Sequence, residues 1–389
     1  MSLLLSYNAR NLRARWRATL LAAAGIAIVV AVFIVLLSTE AGFRIALRAT
    51  GRPDNAIVVQ RGSMSELTSW VPMAHRNLLV VDAHVARDAA GRPLVSDELV
   101  ILTSMPRRGD GAPTNVSLRG VTPLIFGVRS GIHITRGANF RTGLYELIAG
   151  ERIARRVEGL DLGATVRMQR HDWKVVGLFT AGGGAFESEV WGDLNVIGPA
   201  FRRVSGASSL VVRLADPSRL AEFDEFVRAN PEMRLQAALE QEYYEDQAGR
   251  LSLSLIVLAG FVSLFMGVGA VFGAMNTMYA TIAARTREIG TLRAIGFSRR
   301  SIVIAFVVES VILAGAGGLL GCAIALPVHG LATATGQTPS FSEVAFAFRL
   351  TPRILALGLA FAVSMGFLGG LLPALRAALL PISSALREA

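Results

Sequence analysis

Few residues of this 389-residue chain combine types and spacings that could carry chemistry. A phosphate-cradling loop needs G-x-x-x-x-G-K-[ST], and the single lysine, Lys174, stands in HDWKVV. If ATP drives this protein, another polypeptide is expected to bind it. His75, His84, His133, His171 and His329 show neither H-x-x-x-H nor H-E-x-x-H spacing, so no metal site is expected. No G-x-S-x-G elbow occurs, and Gly182–Gly184 lacks the strand–GxGxxG–helix context, so it reads as a loop. The one cysteine, Cys322, lies in an apolar run, which excludes a disulfide framework and a thiolate cluster. What remains is AARTREIGTLRAIGFSRRSIV, Ala283 to Val303, with five arginines and one glutamate between two apolar runs, and Glu309 inside the second run.

The basic stretch spaces Ile289, Leu292 and Ile295 at i, i+3 and i+6, with Arg287 and Arg293 elsewhere. That is an amphipathic helix. On composition alone it is a helix whose arginines stop membrane transfer; docking to a partner is the sharper alternative. A carboxylate in a span costs about 2.5–3.5 kcal/mol on insertion scales, so Glu309 should be paired or functional. Nine residues into its span, it is expected near the interface, reaching Arg299 or Arg300. A structural role in the helix bundle is preferred to proton or substrate handling.

Of all residues 52% are hydrophobic and only 17% are charged, and mean hydropathy is +0.48. Soluble domains average about 25% charged residues, so part of this chain belongs in a membrane. Uncharged or nearly uncharged runs cover 18–39, 251–284, 301–328 and 354–375, giving four spans. The first is longer than the core of a cleaved signal peptide and runs into EAGFRIALR, so it reads as a retained span. As a helix, the second exceeds a bilayer crossing of roughly 30 Å, so it should protrude as a stalk beginning near Leu239. Arginines concentrate before the first span, between the second and third, and after the fourth. The positive-inside rule makes both termini and the basic connection cytoplasmic. The net charge of +10 is therefore a topology signal rather than a nucleic-acid footprint.

Residues 40–250 carry 26 Lys+Arg against 25 Asp+Glu, a soluble composition. Alternation in NAIVVQR, ATVRMQR, WKVVGLF and SSLVVRLAD predicts strands, and DPSRLAEFDEFVRA predicts a helix capped by Asp216. Breaks at 104–114 and 182–184 read as loops. The expected fold class is an α-helical membrane protein with four transmembrane helices plus a large α+β extracytoplasmic domain between helices 1 and 2. The expected divisions are 1–39 (N-terminal helix and helix 1), 40–250 (outer domain, of two lobes divided near 120–145) and 251–389 (helices 2–4, basic helix 283–300 and tail).

GAMNTMYATIAARTREIGTLRAIGFSRRSI closely resembles the signature stretch of FtsX-like ABC permeases, the group that includes MacB and the LolC/LolE pair. Met275-Asn276, Arg285 to Gly290, and Ala294 with Gly296 carry that likeness. Glu309 with Gly317, Gly318 and Gly321 resembles the family's third span. Pro373, Ala374, Ala377, Ala378, Pro381, Ile382, Ala385, Leu386 and Arg387 resemble its C-terminal motif. IAGERIARRVEGLDLGATVRMQRHDWKVVGLF is similar to the MacB-type periplasmic core. One departure is that MacB carries its nucleotide-binding domain in the same chain.

The resemblance implies that the basic segment is a coupling helix docking into an ATPase, with Arg285, Arg287, Glu288, Ile289, Gly290, Leu292, Arg293 and Gly296 as its residues and Glu309 as the intramembrane carboxylate. It implies a non-catalytic transport subunit with no cofactor of its own, ATP and Mg being bound by a partner ATPase in two copies. A second permease protomer, homo- or heterodimeric, membrane lipid and a periplasmic adaptor complete the implied partners; nucleic acid is excluded. The implied location is the bacterial inner membrane, and the implied work is mechanotransmission to a hydrophobic or amphipathic cargo. An FtsX-like signalling subunit that activates a cell-wall hydrolase is the alternative. A membrane-anchored enzyme is a third reading, opposed by the missing nucleophile and metal constellations.

Overall fold

The computed structural model describes residues 16–334 and 345–381. Arg10, Arg13 and Arg15 of the expected N-terminal helix, and Ile382, Ala385, Leu386 and Arg387 of the terminal motif, lie outside the described residues. Six helices of nine residues or more are described: α1 (Trp16–Arg48), α2 (Leu220–Ala229), α3 (Glu240–Ala283), α4 (Thr286–Ala294), α5 (Arg299–Ala325) and α6 (Pro352–Leu379). Four of them, α1, α3, α5 and α6, are long and apolar enough to cross a membrane. The 44 residues of α3 contain no proline and rise about 66 Å, twice a hydrocarbon core. Helix starts are capped from the sequence: Thr351 accepts from the Ile354 N–H with Pro352 in the first turn, and Ser298 accepts from Ser301.

Contacts divide the chain into two compact units: residues 1–41, 253–331 and 348–389 in one, and 42–252 with 332–347 in the other. In the first, α1, α5 and α6 bury Ile26, Val30, Ile34, Ala314, Ala362 and Met365 together. A Cβ added at Gly366 would lie 2.4 Å from that of Ala314 and 2.9 Å from the Ser310 carbonyl oxygen, so α5 and α6 touch there only because position 366 is glycine. Gly317, Gly318, Gly321, Gly369 and Gly370 are similarly crowded. Gly269 and Gly273 are not: beyond their own helical turn nothing of this chain lies within 4 Å of a Cβ added there. They sit on the outward side of α3, whose apolar window is 17% buried against 39% for each other span.

The second unit is built on strands β1 (Asn55–Gln60), β2 (Val71–Pro72), β3 (Val95–Pro106), β4 (Pro113–Val121), β5 (His133–Gly137) and β6 (Glu146–Gly150). It continues with β7 (Thr165–Met168), β8 (His171–Thr180), β9 (Glu189–Asp193), β10 (Gly206–Ala207), β11 (Ser209–Arg213) and β12 (Leu235–Leu239). A 10-stranded mixed sheet runs β12-β1-β11-β3-β4-β9-β6-β8-β5, with β7 on β8. The sheet is covered on both faces. In β1, Ala56 and Val58 join Leu210, Val212, Phe223 and Val227 on one side, while Ile57 and Val59 join Phe179, Phe186 and Trp191 on the other.

Two expectations change here. The sheet crosses 120–145 without dividing into lobes, because β9 returns to pair in parallel with β4 and antiparallel with β6. The 104–114 segment is mostly a hairpin: β3 and β4 pair as far as Pro106 opposite Pro113, and the turn narrows to 107–112, where Gly109 and Gly111 take φ of +101° and +65°. The predicted helix forms as α2, with the Asp216 carboxylate accepting from the Ser218 N–H at its entry.

Candidate functional site

The basic stretch folds into a corner. Helix α3 stops at Ala283, and Arg285 leaves helical geometry (φ −118°, ψ 12°) before α4 begins at Thr286. At the other end Gly296 takes φ +103°. Its N–H donates to the Arg293 carbonyl, and the Phe297 N–H donates to the Leu292 carbonyl. This paired closure needs a left-handed residue, which explains the A-x-G spacing of Ala294 and Gly296.

The two sides of α4 are divided. Ile289 and Gly290 are buried within the chain, Ile289 among Met278, Ile282, Ile302, Phe306 and Ala377; Leu292 and Arg293 are half-buried. Arg287 and Glu288 are exposed, and Gly296 lies exposed in the cap. The i, i+3, i+6 stripe does not hold. Ile295 keeps helical angles (φ −74°, ψ −4°), and its N–H donates to the Thr291 carbonyl. Yet at 3.6 residues per turn it lies about 120° around the helix from Ile289 and is 72% exposed. Gly290, expected to lie against a partner, instead lies against this chain.

Arg285 gathers this corner. Its Nη1 donates to Glu309 Oε2 at 3.2 Å, its Nε donates to Glu288 Oε2 at 3.2 Å, and its guanidinium carbon lies 5.2 Å from the Phe306 ring centre. Glu309 therefore pairs with Arg285, not with Arg299 or Arg300 as its sequence position suggested. Those two begin α5 and are exposed, ten and nine residues before Glu309, about 15 Å along the helix. The break at Arg285 folds the end of α3 back against α5 and brings a different arginine within reach.

A second charged cluster, in the outer unit, escaped the sequence reading. Arg119 on β4 contacts Glu189 (2.7 Å), Glu66 (2.8 Å) and Glu98 (2.6 Å). Arg129 contacts Glu98 (2.9 Å) and Glu240 (2.6 Å) at the first residue of α3. Phe186 lies under both guanidiniums, at 5.1 and 4.2 Å. Ser209 and Tyr244 hydroxyls donate to Glu66, the Asn55 amide to Glu240, and the Trp191 indole to Glu189. Two guanidiniums thus face four carboxylates with almost no solvent. Burial pushes the Glu98 carboxyl above its ordinary value despite Arg129 and Arg119, with Glu66 and Glu240 adding to the rise. Burial also pushes Glu66 up, but Arg119 and the Ser209 hydroxyl overcome it and hold that group at about 2. The only signal in the sequence was charge at strand positions flanked by apolar residues, as in DELVIL and SLRGV.

A cleft of about 350 Å³ on the outer unit is lined by Arg108, Arg136, Arg155, Glu151 and Asp161. Its carboxylates are engaged internally, Asp161 by Arg108 and Glu151 by Arg155. Among the described residues no three His, Cys, Asp or Glu are grouped to hold a metal ion.

Known proteins match both units. The FtsX-like permease C-terminal family matches residues 260–382, and the MacB-like periplasmic core domain matches residues 19–229, more than half of the chain. A macrolide export ATP-binding/permease protein MacB of Rhodospirillum rubrum is 25% identical over 95% of this chain and 58% of its own length. The Nitrobacter winogradskyi protein of the same name is 34% identical over 46% of this chain and 27% of its own. The Bacillus subtilis uncharacterized ABC transporter permease YknZ is 34% identical over 33% of this chain and 30% of its own. The chain thus spans less than two thirds of these relatives. The periplasmic region of MacB from Actinobacillus actinomycetemcomitans is a structural neighbour at 11% identity and TM-score 0.38, covering 50% of this chain and 92% of that one. The crystal structure of the extracellular domain of YknZ is another, at 18% identity and TM-score 0.36, over 47% and 99%. With an FtsX-like permease segment following a MacB-like core domain, the chain belongs to the MacB-like family of ABC transporter permeases.

Proposed function

We propose that this chain is the membrane subunit through which an ATPase drives export or extraction of a hydrophobic or amphipathic cargo on the outer side of the inner membrane. In this reading ATP and magnesium are bound by ATPase subunits, two copies serving a permease dimer. The observation that carries this reading is the division of α4: Ile289 and Gly290 anchor it to its own bundle, while Arg287, Glu288 and Ile295 are offered outward.

The distribution of arginine supports placing α4 and both termini in the cytoplasm. The proline-free 44 residues of α3 support transmission by a stiff helix rather than passage through a polar conduit. The open positions at Gly269 and Gly273 support a second protomer approaching α3 closely. A lipoprotein, lipid, peptide or drug fits the cargo description, and a periplasmic adaptor is compatible with it.

The test is co-purification of the ATPase with Arg287→Glu and Glu288→Lys permeases, with ATP turnover measured in each complex. Truncating one member of a buried interfacial charge pair costs about 2–5 kcal/mol, so reversal should weaken association or uncouple turnover. Insertion should survive, because both side chains are outside the packed bundle. Normal ATPase retention and turnover in both variants would sink the docking reading. Gly290 is unsuitable for this test, since it is buried within this chain rather than offered to a partner.

A further inference from the structure

One cation at the corner reaches three elements. Arg285 lies between α3 and α4; it bonds Glu288 on α4 and Glu309 on α5, and it covers the Phe306 ring on α5. The next residue, Ser310, donates its hydroxyl to the Gly366 carbonyl of α6 at 2.7 Å. Positions 309 and 310 therefore tie α5 to the corner on one side and to α6 on the other. We propose that the Arg285–Glu309 pair is the positioning tie that carries movement of α4 into α5 and, through Ser310, into α6. The proposal rests on the docking reading of α4.

The other connections are poorly suited to that task. The α4–α5 link turns on Gly296 at φ +103°, a hinge-like residue without a side chain. The apolar packing of Ile289 is non-directional, so it resists separation better than sliding. A guanidinium–carboxylate contact has fixed geometry and resists both. The pair is also shielded: the Arg285 and Glu309 side chains are 10% and 7% exposed, so salt screens it little. Glu288, by contrast, is 46% exposed, which makes it the end of the relay that a docked partner can pull. The backbone turn does not need the pair, since the Arg285 N–H already donates to the Ile282 carbonyl and α4 is seated by Ile289.

The test uses the full chain with its co-purified ATPase in lipid nanodiscs, in a Cys322→Ala background. An environment-sensitive maleimide is attached at Ala294→Cys on α4, or at Leu326→Cys just beyond α5, both exposed positions. Fluorescence is compared with ADP and with a non-hydrolysable ATP analogue. The unaltered pair should give a nucleotide response at both positions. Arg285→Met and Glu309→Gln should keep the response at 294 and make that at 326 roughly tenfold smaller. Exchange of the charges, Arg285→Glu with Glu309→Arg, should restore part of it.

Equal responses at 326 in both single variants would overturn the tie and leave docking intact. So would a response at 294 but none at 326 with the pair unaltered. Loss of ATPase binding by Glu309→Gln, which has no exposed face, would also overturn it, making the pair a scaffold for docking. No response at 294 with the ATPase bound would remove the docking reading and the tie with it.

Discussion

Arg119→Met, set beside Glu98→Gln, tests whether the buried cluster of the outer unit is held by charge balance or merely by packing. Removing Arg119 takes one of two guanidiniums from four carboxylates and leaves Glu66 and Glu189 without a cationic partner among the contacts described. Breaking one buried pair costs about 3–5 kcal/mol, because the surviving ion stays desolvated. Three contacts end on Arg119, but they share one side chain, so the expected loss is the upper end of that range rather than three times it. Native domains have only about 5–15 kcal/mol in total, so Arg119→Met should bring the outer unit close to unfolding.

Glu98→Gln should behave oppositely. Glu98 is the carboxylate that burial and its neighbours Glu66 and Glu240 already push toward the neutral form. A neutral amide of the same shape relieves excess negative charge, and its carbonyl oxygen still accepts from an arginine. The expected change is within about 1 kcal/mol of zero. The assay is denaturant unfolding of the full chain in detergent, followed by tryptophan emission; Trp173 and Trp191 are fully buried and report on this unit. If Glu98→Gln destabilised as much as Arg119→Met, the charge-balance argument would be wrong and shape alone would hold the cluster.

How much of this was legible depended on whether the signal was local. A run such as ATLLAAAGIAIVVAVFIVLLST needs no partner to be read as a span, and the Ala294-x-Gly296 closure follows from the backbone alone. The inward side of α4 was not legible, because spacing shows a broad stripe but not which edge of it meets the bundle. Ile295 keeps helical geometry but lies about 120° around the helix from Ile289, so of the three apolar residues only Ile289 is fully buried. Glu309 was assigned the wrong partner for a related reason: sequence distance favoured α5's own arginines, and the bend at Arg285 decided otherwise. In the outer unit, strict alternation in SLRGV would put Leu118 inward and Arg119 outward. Both are buried, because this sheet is covered on both faces and the pattern assumes one wet face. A single sheet was hidden for the same kind of reason, since the β4–β9 pairing joins residues about seventy positions apart.

Acid should first stabilise and then destabilise the outer unit. The Glu98 carboxyl is raised in the fold above its ordinary 4.5, so its contribution grows as pH falls through its folded value and is complete below 4.5. The Glu66 carboxyl is held at about 2, so its contribution is full above 4.5 and is lost as pH falls from there toward 2, about 3 kcal/mol in all. Melting of the full chain across pH 7 to 3 should therefore peak near 4.5, and Glu98→Gln should shrink the rise on the way down while keeping the final fall. Part of the rise persists because burial also raises the Asp97 carboxyl. The helix bundle offers the last prediction, Gly366→Val against Gly269→Val. At position 366 the first added carbon already lies 2.4 Å from the Ala314 side chain and 2.9 Å from a carbonyl oxygen, so α5 and α6 must separate. Overpacking of this kind costs about 1–3 kcal/mol or more, and it also stretches the Ser310–Gly366 hydrogen bond. At 269 nothing lies within 4 Å, so the same substitution leaves the protomer's own packing untouched. Thermal melting of detergent-solubilised protomers should show a clear loss for Gly366→Val alone, whereas Gly269→Val should instead reduce dimer in size-exclusion chromatography. Equal melting of the two variants would mean that α5 and α6 do not meet at Gly366.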